Sequence, residues 1–171
     1  MWVARLASLG LMAAMWGWLV SPSVKRQGVA AAAVFALLET LFTGLVDGAA
    51  SLPPRTRSAT TILSAMNRSG YTTVEMFFFN VFYYPIGTVW YWNVLRTHYW
   101  IRIALFPAWV WIAELLGGGY LLFVWNRRAW DYRHARFSLF DGLIRLDYLP
   151  VWILLGVLHD FLFFGVYMKY L

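Results

Sequence analysis

Ile103–Trp125, IALFPAWVWIAELLGGGYLLFVW, is a run of twenty-three residues with one acidic and no basic side chain, the acid being Glu114. A helix of that length covers a hydrocarbon core of about 30 Å, and in lipid a helix pairs its backbone polar groups within the segment. An acid at the bilayer centre costs at least ~2.5 kcal/mol, so Glu114 is expected to face the interior of a bundle, as a candidate site residue. Gly117-Gly118-Gly119 follows closely. That triplet predicts either close helix contact or a local break that exposes backbone carbonyls beside the acid.

Outward from this run the landmarks recur. Glu114, Gly119, Gly142 and Asp147 are spaced by five, twenty-three and five residues, and Glu39, Gly44, Gly70 and Glu75 by five, twenty-six and five. The match predicts an internal duplication: two parallel helical hairpins, each with a buried acid on its first helix, a polar loop, and a second helix entered at an acid. Asp160 and Gly165 show the same five-residue interval, so this spacing arises easily in the chain.

Four further apolar stretches run from Trp2 to Val20, Gly28 to Val46, Met76 to Leu95 and Tyr148 to Tyr167. The fold class is therefore an all-α integral membrane protein of about five transmembrane helices. A single domain spans 1–171, with an extra N-terminal helix and linker over 1–27 and a four-helix core over 28–171. Composition agrees, since 61% of residues are hydrophobic, 20% aromatic and only 13% charged, which excludes an ordinary soluble domain. The first stretch, with Arg5 and Ser21-Pro22, has the outline of a secretory signal, but bulky Trp18 and Val20 stand where cleavage needs small residues. It reads as a retained helix. Pro85 is expected to kink the third helix, Pro107 to begin the fourth, and Thr61 to Met66 to form a short interfacial helix.

Lys and Arg collect on cytoplasmic loops. Arg5, the loop arginines Arg55, Arg57 and Arg68, and five more between Arg127 and Arg145 fall at one set of helix ends, against Lys25, Arg26, Arg96, Arg102 and Lys169 at the other. The N-terminus and both long loops are thus expected on the cytoplasmic or equivalent side. Membrane lipids are the expected partners, and the net charge of +6 reflects this bias and anionic headgroups, with no nucleic-acid module.

Glu39 and Glu114 are the intramembrane acids, a pair suited either to titration and ligand binding or to hydrogen bonds between helices. Glu75 and Asp147 stand at helix entries, where an acid complements the positive helix end. The loop from Asn126 to Asp147 reads as an ordered cap on the headgroups, with Trp130, Asp131, Tyr132 and Gly142 as candidates for headgroup or partner binding or for a loop-ordering network. Adjacent His159 and Asp160 point to different faces, one of them reaching the interface. His98, His134 and His159 form no His-x-x-His or Glu-x-x-His pair, and the chain has no Cys, so no metal centre is expected. No cofactor is expected; a single haem or pigment ligand from His98 or His159 is the alternative. There is no phosphate-binding Gly-x-x-x-x-Gly-Lys-Ser/Thr loop and hence no ATPase engine.

The strings Glu39-Thr40-Leu41-Phe42-Thr43, Gly70-Tyr71-Thr72-Thr73, Trp130-Asp131-Tyr132 and Gly142-Leu143-Ile144-Arg145-Leu146-Asp147-Tyr148, followed by Trp152, resemble the CmpB-like ABC-transporter permease family, which includes the transmembrane protein 229 group. The likeness covers roughly Phe35 to Asp160. It implies a polytopic helical protein, with Glu39, Glu114, Asp131 and Asp147 as its supported acids. Where that family tends to carry a Trp this chain has Glu75, which weakens the equivalence of Glu75 with Asp147.

Three function classes follow. The first is a noncatalytic accessory or scaffold subunit with protein partners in the membrane, which suits the small size and the lack of a catalytic set. The second is a permease-like transport component using Glu39 and Glu114. The third is a membrane-embedded lipid or isoprenoid enzyme, which would need a polar cavity around an acid.

Overall fold

The computed structural model describes residues 2–50, 74–87 and 98–170. Helix α1 spans Trp2–Leu19, α2 Pro22–Ala50, α3 Val74–Gly87, α4 Tyr99–Trp125 and α5 Leu149–Leu162. A single 3-10 turn, Leu146–Tyr148, leads into α5, and a π-helical turn, Phe163–Tyr167, follows it. The chain is mostly helical. Among the described residues three segments are long and apolar enough to cross a membrane: Pro22–Leu45, Tyr99–Trp125 and Leu146–Val166. These correspond to the second, fourth and fifth of the five expected spans; α1, at the first, is not among them, and residues 88–95 of the third stretch and the interfacial helix at Thr61 to Met66 lie outside the described residues.

Local chemistry sets the boundaries. Ser21 is the N-cap of α2, its Oγ accepting from the Val24 amide at 3.3 Å, and Pro22 occupies the first helical position, where a missing N–H is harmless. The second helix therefore starts six residues before the apolar stretch does. Pro107 does not begin α4. It lies inside the helix and is fully buried, tolerated because neighbouring elements cover the gap in the ladder. Nor does the glycine triplet break α4, which is continuous to Trp125 and closes on Asn126 in the left-handed conformation, the Asn126 amide donating to Leu122 and the Arg127 amide to Leu121.

Helix α2 packs against α3, and α4 against α5. Tyr84 on α3 meets Gln27 on α2, while Phe42 near the other end of α2 meets Tyr148 before α5. Tyr83 on α3 lies against Trp109 on α4. These contacts make α2 to α5 an alternating bundle in which α2 and α4 run the same way. The glycines of α4 serve the packing: a Cβ at Gly117 would lie 1.9 Å from the Phe79 ring, and one at Gly118 2.8 Å from Leu143 and 2.9 Å from Trp130. Helix α1 lies on the outside. Its Arg5 is buried, donating to the Val124 carbonyl at 2.8 Å between the rings of Trp2 and Trp125, and Ser8 bonds Tyr120 at 2.8 Å.

Candidate functional site

The segment after α4 returns over the end of the bundle as a strap. Trp130 and Tyr132 point inward and Asp131 outward, the alternation of an extended chain. The Trp130 indole donates to the Leu143 carbonyl at 2.9 Å and its ring stands edge-on to Phe79. The Tyr132 hydroxyl donates to Glu114 Oε1 at 3.2 Å. Asp131 is clamped by Arg133, at 2.9 Å to each carboxyl oxygen, and those hydrogen bonds hold it well below the ordinary carboxylate range. For Tyr132, burial first, and then the neighbouring Glu114, raise the phenol above its ordinary value, so it stays a donor.

A short hairpin anchors the strap. Ser138–Leu139 (β1) pairs antiparallel with Ile144–Arg145 (β2), a two-residue ladder within a segment expected as an ordered loop of an all-α fold. Phe140, Asp141 and Gly142 at its tip all have positive φ. Gly142 also accepts from the Tyr132 amide at 2.9 Å, and a Cβ there would lie 2.6 Å from the Arg133 backbone nitrogen. Its role is thus close approach between hairpin and strap. Arg128 reaches across to Asp141 and its carbonyl.

Below the strap lies a cavity of about 500 Å³, lined by Glu39, Thr43, Asn80, Glu114, Tyr132 and His159 among many aromatic and aliphatic side chains. The size is that of a small-molecule site. The lining reaches the surface at Leu154, 69% exposed, and at Asp131. Glu114 is only 7% exposed; its Oε2 and the Trp152 indole nitrogen are buried with no hydrogen-bond partner among the described residues. Five of the expected site residues, Glu39, Glu114, Trp130, Asp131 and Tyr132, therefore line one chamber. The other two support it.

Asp147 stands in the first turn of the 3-10 helix that leads into α5. It accepts two hydrogen bonds from Arg145, at 2.9 and 2.8 Å, while Arg145 also donates to the Tyr148 hydroxyl at 3.0 Å and lies 4.1 Å from that ring's centre. The helix entry carries no side-chain cap. The Arg145 side chain, itself a lining residue, is thus fixed at the cavity rim. The Glu75 side chain and Gly70 lie outside the described residues.

At the other end of the chamber sequence reasoning missed an ion pair. Arg102 on α4 meets Asp160 on α5 at 2.6 and 3.2 Å, both buried, with the Phe164 ring 4.7 Å from the guanidinium centre. Asp160 is therefore a buried partner, and His159 beside it is packed among Phe35, Phe106 and Phe163. The rule that an intramembrane acid needs a cation at its own depth would have joined them. His98 is exposed at the start of α4. Among the described residues no group of three or more His, Asp or Glu side chains could hold a metal ion. No protein-family description, curated protein or solved structure matches the chain.

Proposed function

We propose that the chain is a membrane-embedded binding component of the permease type, which takes a small, largely apolar molecule into the chamber between α2 and α5 and anchors it on Glu114. The observation that carries this reading is the chamber of about 500 Å³ around a buried carboxyl oxygen with no partner among the described residues. A protein whose only task is to join others gains nothing from an interior void, which forfeits dispersion contacts, or from an unsatisfied acid in lipid. The same reading keeps the likeness to the CmpB-like permease family, with the N-terminus and the strap on the cytoplasmic side.

Gentle extraction followed by native mass spectrometry tests it. A small molecule is expected to travel with the protein and to be lost from Ala113→Phe and from Thr43→Phe, which fill the chamber from opposite helices. Retention of the same molecule in both folded variants would refute the site.

The accessory-subunit reading is supported by α1. Its Leu6, Trp18 and Leu19 are 64%, 90% and 75% exposed, apolar surface around the helix that suits a partner as well as lipid. Stoichiometric copurification of other chains with no small molecule would favour that reading.

A further inference from the structure

Resting on the ligand-binding reading above, we infer that the chamber's occupant is a hydrophobic amine, a protonated nitrogen on an apolar body. The argument begins with charge. Glu114 is buried, makes no ion pair among the described residues, and spends one oxygen on the Tyr132 hydroxyl at 3.2 Å. Its second oxygen is buried without a donor. Glu39 adds a second carboxyl to the same walls. The cation at the rim, Arg145, is already held by both oxygens of Asp147. A ligand that donates a hydrogen bond to that oxygen satisfies it, and an ammonium brings N–H donors together with a charge opposite to that of a carboxylate. An anion meets the carboxyls of Glu114 and Glu39 on the same walls.

The walls point the same way. Phe42, Phe79, Tyr83, Trp109, Tyr148 and Trp152 line the chamber, and aromatic faces attract a desolvated cation through their quadrupoles. The Trp152 indole N–H, also buried without a partner, carries no formal charge and accommodates an ether or carbonyl oxygen on the ligand body. The volume holds an apolar body with one or two rings.

The test uses three probes that share one body: 4-phenylbutylamine, 4-phenylbutanol and 4-phenylbutyrate. Each is titrated calorimetrically into the full chain in lipid nanodiscs at neutral pH, with empty discs subtracted. The amine is expected to bind about tenfold or more tighter than the alcohol, and the carboxylate more weakly than either. Glu114→Gln, which keeps an acceptor for Tyr132, is expected to bring the amine within about twofold of the alcohol. Glu39→Gln is measured beside it, the alcohol reporting in each variant that the chamber is intact. Equal binding of amine and alcohol by the unaltered protein would overturn the amine while leaving the binding reading in place. So would a preference that survives in whichever variants retain the alcohol. No binding by any of the three would overturn both.

Discussion

Tyr132 is the residue on which the strap and the buried acid meet. Tyr132→Phe removes the donor to Glu114 Oε1 and leaves the whole carboxyl without a partner among the described residues. A loss of about 1 to 3 kcal/mol is expected, read as a lowered melting temperature in detergent, and a smaller loss is expected when Glu114→Leu accompanies it. Gly117 offers a steric counterpart. With the Phe79 ring where its Cβ would stand, Gly117→Val is expected to destabilise by about 1 to 3 kcal/mol through overpacking. Combined with Phe79→Ala it should do less harm than the two changes summed, the sign of a shared contact. Asp131 makes a prediction about pH. Its folded-state value is depressed by Arg133, so its contribution to strap order is present above the ordinary carboxylate range and lost as pH falls through the depressed value. NMR titration of the Asp131 carboxyl should show an apparent pKa below about 3.9, rising toward it in Arg133→Gln.

At the scale of elements, what the sequence made legible were the long apolar periods. The starts and ends of α1, α4 and α5 fall within a few residues of the stretches read from composition, because lipid demands uninterrupted apolar length and a helix satisfies its own backbone. Caps and prolines moved the rest: Ser21-Pro22 starts α2 six residues ahead of its apolar stretch, while Pro107, expected to begin α4, lies inside it. The π-helical turn left no periodic trace. It brings adjacent Phe163 and Phe164 to two tasks, one ring packed beside His159 and the other over Arg102. The Arg102–Asp160 pair joins residues 58 apart in sequence, which periodicity does not connect. Arg102→Ala or Asp160→Asn is expected to destabilise the packing of α4 on α5 by about 3 to 5 kcal/mol, because one buried charge loses its partner. The exchanged pair Arg102→Asp with Asp160→Arg should recover part of that, measured by thermal unfolding of the solubilised protein.

For the whole molecule, sidedness is directly measurable because the chain contains no Cys. Single changes His134→Cys in the strap region and Lys169→Cys near the far end should react with a membrane-impermeant maleimide from opposite sides, His134→Cys only after the cytoplasmic face is opened. Labelling of both from the same side would overturn the alternating arrangement across the bilayer. The candidate acids were legible as a pair because charge in lipid is rare; what they surround was not. The chamber depends on which rings fail to fill the space between four helices, and that is a property of packing rather than of any one segment.

The strap, finally, makes the acid's hydrogen bonding and the loop's order two readings of one equilibrium. Glu114 is bonded by a hydroxyl that arrives from outside the helices. Whatever donates to that carboxyl in place of Tyr132 loosens the strap, and by reciprocity whatever grips the strap from the aqueous side raises or lowers occupancy inside by the same factor. On the proposed binding reading, a soluble molecule that grips the strap sets the occupancy of the chamber without entering the bilayer, and hydrogen exchange at the Tyr132 amide reports that occupancy from the water side.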